Sequence, residues 1–304
     1  MSREAPSAAG AVSRIVRDFL AGAIDYAGLF PPAALDMRTA IRNYASYRAG
    51  DDASLLGRFV APAARLSELA EELESLDRPE ETVKVSAVLG ADVAADIQSV
   101  IAFNARVSRA TVDSIEAKAD RPGSIYELAS GRSAKLEVFA ELPLDGALEL
   151  LVDAARAVGV RAKVRTGGVT AGAFPSARSV VRFMRACLDS VVPFKATAGL
   201  HHPVTGTYAL TYAPDSPRGT MFGFLNIFFA AAFLTMGMSD EDATQLLDDR
   251  DASSFVFGDR GVEWRGHRID TAHLAATHER VFGSFGSCSF REPVDDLRSM
   301  ALLS

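Results

Sequence analysis

The stretch AKVRTGGVTAGAFPSARSVVRFMRACLDSVVPFKATAGL spans residues 162–200. It opens and closes on short runs with apolar residues around a lysine, Lys163 and Lys195. Each lysine is followed four residues later by a glycine, Gly167 and Gly199. The segment between, SARSVVRFMRACLDS, reads as a helix with Cys187 in the core. Strand, helix, strand in so short a space predicts a parallel pair joined by a helical crossover.

The same alternation continues in both directions. Strand-like runs appear at AIDYAGLF (23–30), GRFVAP (57–62), VKVSAVLG (83–90) and VDSIEAKA (112–119). They continue at LEVFAELP (136–143), RAKVRTGG (161–168), VPFKATAG (192–199) and SFGSCSF (284–290), with helical patterns between them. Eight such units predict an α/β fold, a (β/α)8 TIM barrel formed by residues 1–304 as one domain. The irregular stretch 205–283 reads as an insertion between strands seven and eight, packed on the barrel. It holds a loop rich in Pro, Gly and Tyr, an apolar helix at 222–238, and a hairpin in SSFVFGDRGVEWRGHRI (253–269). The first dozen residues, MSREAPSAAGAV, read as a mobile terminus.

Composition narrows the class. Of 304 residues, 48% are hydrophobic, enough for a large core, and the net charge is −7. That charge argues against a nucleic-acid surface but leaves room for a small anion held by a few local cations. Two cysteines, Cys187 and Cys288, make neither a disulfide framework nor a CxxC metal site. The run 222–238 is short for a membrane span and contains an Asn. It reads as a buried helix that either covers the barrel or joins two copies of the chain. The expected setting is cytoplasmic, with a small-molecule substrate and neither nucleic acid nor membrane as partner.

The informative residues are charges inside strands. A parallel barrel covers its strands on both sides, so they should be almost continuously apolar. Near the C-terminal ends of four consecutive strands that pattern breaks. Glu116 and Lys118 share a face, as do Glu137, Phe139 and Glu141, Lys163 and Arg165, and Lys195 and Thr197. Barrel active sites form at those ends, and buried charges are costly unless paired or used. One outcome is a set of structural ion pairs, Glu116–Lys118 or Glu141–Lys163. The other is chemistry. A lysine made less basic by a second cation can attack a carbonyl as the free amine and form a Schiff base. Lys163 and Lys195 stand at matching depths on adjacent strands, and Glu116 could move the protons. Such chemistry calls for no cofactor and no metal.

At these residues the chain resembles the deoxyribose-phosphate aldolase family, Schiff-base aldolases on a (β/α)8 barrel. Residues 161–202 are similar to that family's V-K-T-S-T-G strand, Gly-rich turn, helix and V-K-A-S-G-G strand. Elsewhere IDYAGLFPPA resembles I-D-H-T-L-L-K-P, RFVAPA resembles V-C-V-N-P, and SIEAKA falls at E-I-D-M-V-I-N. The resemblance implies Lys163 as the Schiff-base lysine, Lys195 as its helper and Glu116 at the catalytic aspartate. It makes FGSCSF similar to the phosphate-holding G-T-S-S-G, with Gly286, Ser287, Cys288 and Ser289 in place. Glu116 stands where the family has Asp, Lys118 and Arg165 add charges, and Leu200 takes the place of a glycine. The 205–283 stretch lies outside the pattern.

Further candidates surround this set. His201 and His202 leave the seventh strand and read as substrate contacts or proton-transfer groups. With Glu116 and Glu141 they are also the ligands of an alternative reading, a metal-dependent isomerase or hydrolase. A third reading is a non-catalytic barrel that binds a small molecule. Arg165 and Arg58 are candidate anion clamps, Asp25 and Tyr26 could reach the site, and Lys118 and Glu141 border it. His273 and His278 read as a solvated helix face, and GMSDEDATQLLDDRD (237–251) as a capped acidic helix.

Overall fold

The computed structural model describes residues 8–76, 82–131, 133 and 135–304. Its first seven barrel strands are β1 (Ile24–Tyr26), β2 (Leu56–Pro62), β3 (Val83–Val88), β4 (Ala110–Lys118), β5 (Glu137–Glu141), β6 (Arg161–Arg165) and β7 (Phe194–Thr197). The chain then forms a ribbon, β8 (Gly206–Ala209) and β9 (Arg218–Met221), and a three-stranded meander, β10 (Phe255–Gly258), β11 (Gly261–Trp264) and β12 (His267–Asp270). The last strand, β13 (Phe282–Ser287), pairs in parallel with β7 and β1 and closes an eight-stranded parallel barrel. The chain is therefore a (β/α)8 barrel. All eight runs predicted as strands are barrel strands, though several are shorter, since their trailing residues belong to the loops above the barrel.

Helices α1 (Ala8–Phe19), α2 (Met37–Arg48), α3 (Leu66–Glu74), α4 (Val93–Arg106), α5 (Pro122–Ser130), α6 (Leu148–Val158) and α7 (Ala177–Asp189) precede or follow the first seven strands. Residues 8–12 are thus helical rather than a loose terminus, and residues 1–7 lie outside the described residues. In α7, Val180, Val181, Phe183, Met184 and Cys187 are buried, Cys187 in the core as expected.

The 205–283 stretch contributes α8 (Phe224–Thr235), α9 (Asp240–Asp248) and α10 (Thr271–Arg280) before β13, and α11 (Arg291–Ser299) follows it. Residues 224–234 of α8 are all buried. A helix apolar on every side must be covered on every side, and α7, α9, α10 and β13 do this within one chain. It is therefore not a contact between copies. Its one polar interior residue, Asn226, accepts from the Thr205 amide and donates to the carbonyls of Leu246 and Asp249. The predicted hairpin acquires a third strand because Gly266, at a φ of 87°, turns the chain back after Trp264. Among the described residues no helix is long and apolar enough to cross a membrane.

Candidate active site

The register explains how the charges meet. Lys118 on β4 stands across from Glu141 on β5, Glu141 across from Lys163 on β6, and Lys163 across from Lys195 on β7. One row of paired strand positions thus carries charges of both signs. Glu116, two residues before Lys118 and on the same face, reaches into this row from below.

Glu116 is the centre. It is 2% exposed, and its two carboxylate oxygens serve different lysines. Lys163 Nζ lies 2.6 Å from Oε2, and Lys195 Nζ lies 2.7 Å from Oε1. Ser86, from β3, donates to the same Oε1 at 2.5 Å. Lys195 also donates to Asp25 Oδ2 at 2.6 Å, and Lys163 to Glu141 Oε2 at 2.9 Å. Burial opposes the charge on Glu116, yet the ammonium groups of Lys163 and Lys195 outweigh it and hold the carboxyl well below the usual carboxylate range. Glu141 is treated likewise: burial raises it, and Lys163 and Arg165 pull it down further. For Lys195 burial disfavours the ammonium, but Asp25 and Glu116 override this and raise its pKa. For Lys195 the expected lowering by a neighbouring ammonium is therefore corrected. Glu116 sits between the two and neutralises part of each, and Lys195 has a second counter-charge in Asp25.

The two lysines differ in access. Lys163 lines a cavity of about 790 Å³ at the C-terminal end of the barrel, whereas Lys195 lies behind Glu116 and away from the cavity wall. Glu116, Lys118, Glu141, Arg165, His201, Gly286 and Cys288 line the same cavity. The glycines at the ends of the two lysine turns serve a close approach. A Cβ on Gly199, whose φ is +75°, would lie 3.1 Å from the Gly167 Cα and 2.8 Å from the Phe174 ring.

Several other expectations need correction. Asp25 does not touch the cavity. Its Oδ2 accepts from Lys195 and Ser284 and its Oδ1 from the Arg58 amide, so it braces Lys195 rather than binding substrate. Ser287 and Ser289 also miss the cavity, because residues alternate and Gly286 and Cys288 take the inward positions. Ser289 Oγ instead accepts from the Glu292 amide at the start of α11. Arg58 binds Asp113 at 2.6 Å and Glu137 at 2.9 Å, in the N-terminal half of the barrel, where it cannot clamp a substrate above the strands. Arg165 reaches the cavity but is paired with Glu141 at 2.9 Å. Tyr26 is buried against Tyr44, Tyr47 and Phe59.

The adjacent histidines bond different carboxylates of α11. His201, 7% exposed, lines the cavity. Its Nδ1 lies 2.9 Å from Glu292, and Cys288 Sγ is 3.9 Å away. Burial disfavours its charge, but contacts with Cys288 and Glu292 raise its pKa to about 9, so it is an imidazolium at neutral pH. His202 stacks on Tyr208 at 3.6 Å and binds Asp296 at 2.7 Å. The four side chains suggested as metal ligands therefore do not converge, and among the described residues no three His, Cys, Asp or Glu could hold a metal. His278 is half-buried, its Nε2 donating to the Ala21 carbonyl, rather than on a solvated face, while His273 is exposed as expected.

Sequence reading missed Ser86, Arg121, Tyr212 and Glu292. Ser86 carries no signal in an apolar strand, although its inward position on β3 follows from alternation. Arg121 and Tyr212 lie in loops, and Tyr212 donates to Glu292 at 2.9 Å. Comparison with family models, curated proteins and solved structures returned no match.

Proposed function

We propose that this chain is a class I aldolase-type lyase that makes or breaks a C–C bond of a small carbonyl compound through a Schiff base on Lys163. The observation that carries the reading is the division of labour between the lysines: Lys163 faces the cavity and Lys195 stands behind it, with Glu116 bonded to both. The resemblance to deoxyribose-phosphate aldolases assigns the same roles to the same residues.

The chemistry follows from the contacts. Lys163 must lose a proton to attack, and Glu116 Oε2 lies 2.6 Å away to take it. Once Lys163 is neutral, part of what holds the Glu116 pKa down is gone, and the carboxyl becomes a competent acid. It returns its proton to the carbinolamine oxygen, which leaves as water and gives the iminium. The iminium accepts the electron pair of the breaking C–C bond, and a carboxylate takes the proton of the departing hydroxyl; Glu141, 2.9 Å from Lys163 and on the cavity wall, is placed for this. Lys195 and Asp25 keep Glu116 oriented throughout.

A binding barrel is the second reading, favoured by the completeness of the ion pairs around Lys163. The open cavity beside Lys163 suits both readings. Solvent exchange separates the two. An enamine formed on Lys163 exchanges the α-hydrogens of a bound carbonyl compound, so proton NMR of acetaldehyde, dihydroxyacetone and pyruvate in D2O should show loss of an α-proton signal with the wild type. Lys163→Arg keeps the charge but not the nucleophile and should be silent. Equal exchange by both proteins would reject the proposal.

A further inference from the structure

We infer that an anionic group of the ligand is held on the β4–α5 side of the cavity mouth by Lys118, Arg121 and the first turn of α5. In naming a substrate class this rests on the lyase reading, while the anion site itself does not.

Most cations of the cavity wall are already matched. Lys163 is bound to Glu116 and Glu141, Arg165 to Glu141, and His201 to Glu292. The side chains of Lys118 and Arg121 line the cavity, are exposed, and make no ion pair or hydrogen bond with a described residue. They are not scattered. Arg121 folds over the start of α5, where a Cβ on Gly123 would collide with its guanidinium nitrogen. That first turn carries no acidic residue, and no side chain caps its amides. Helix starts are electropositive, so an arginine laid on one beside a lysine concentrates positive charge in a chain whose net charge is −7. Ser124, in the same turn, adds a hydroxyl to the wall. The acidic neighbours on this side are Glu127, one turn on, and Glu141, across from Lys118; Glu127 pairs with neither cation, and Glu141 is bound to Lys163 and Arg165.

Two unmatched cations, a hydroxyl and a helix start form a receptor for a phosphate or carboxylate. It lies away from Ser287 and Ser289, the residues that the resemblance would assign to an anion and that turn from the cavity. The register fixes the span. Lys118 is two strands from Lys163, on the order of 10 Å at about 4.8 Å per strand. The ligand is thus a short-chain carbonyl compound whose anion lies at the end remote from the reacting carbon.

Inorganic phosphate and succinate are the probes, titrated calorimetrically into wild type, Lys118→Ala/Arg121→Ala and the charge-preserving Lys118→Arg/Arg121→Lys. At least one anion should bind the wild type and the exchanged variant, and bind the alanine variant about tenfold or more weakly. The tighter of the two names the end group. Thermal unfolding should be unchanged, since neither side chain has a partner to lose. Absence of binding by both anions, or undiminished binding in the alanine variant, would overturn the inference. Neither result depends on Schiff-base formation, so failure here and failure of the lyase reading remain separate.

Discussion

Replacing Glu116 by glutamine tests the charge row at its centre. The change keeps the shape and removes one buried negative charge that serves two ammonium groups at 2.6 and 2.7 Å. A glutamine oxygen can accept from one lysine, but its NH2 then faces the other. Removing one partner of a buried ion pair costs about 3–5 kcal/mol. At about 2 °C per kcal/mol for a domain of this size, Tm should fall by roughly 6–10 °C. Urea unfolding at pH 7, followed by circular dichroism, measures the loss directly. The pH dependence has a defined sign. The Glu116 pKa is lower in the folded chain than in the unfolded one, so its contribution is present above the unfolded value, about 4.3, and fades as pH falls through the depressed folded value. The gap between wild type and Glu116→Gln should hold from pH 5 to 8 and shrink below pH 4. A loss under about 1 kcal/mol at pH 7, or an equal gap at pH 3 and pH 7, would refute the reasoning.

Other perturbations probe separate parts of the molecule. Asn226→Leu strands the Thr205 amide and the carbonyls of Leu246 and Asp249 in the interior, and urea unfolding should show a loss of about 3 kcal/mol or more. Arg58→Met leaves Asp113 and Glu137 without their shared cation. It should cost about 2 kcal/mol or more in the same assay yet leave α-proton exchange intact, because the network lies below the site. His201 is raised to about 9 in the folded chain, so its contribution is complete below pH 6.5 and lost as pH rises to 9. Urea midpoints should decline over that window, and the decline should move to lower pH in Glu292→Gln.

The barrel was legible because its strands are short apolar runs at regular intervals, and the lysine pair because K-x-x-x-G occurs on both sides of one helix. The structure supplies the reason for that spacing: Gly167 and Gly199 pack backbone to backbone. Alternation correctly put Glu116, Glu141 and Lys163 on the inner face. It says nothing of depth, so Arg58 could not be told from a residue at the mouth. It also rules out Gly286, Ser287, Cys288 and Ser289 all facing one cavity, a constraint that a motif read as a block conceals. His201 and His202 take Glu292 and Asp296, one turn apart on a helix some ninety residues away, partners that local sequence cannot show. Ion-pair partners depend on register, which local sequence does not carry. Glu141–Lys163 formed, while Glu116 turned to Lys163 and Lys195 and left Lys118 open.

The central claim is a covalent bond to one amine. Borohydride reduction in the presence of a pool of small aldehydes and ketones, with intact mass and peptide mapping, tests it most directly. The account predicts a stable adduct on the wild type that maps to Lys163, is absent in Lys163→Arg, and does not appear on Lys195. No adduct on the wild type, or an undiminished adduct in Lys163→Arg, would contradict it.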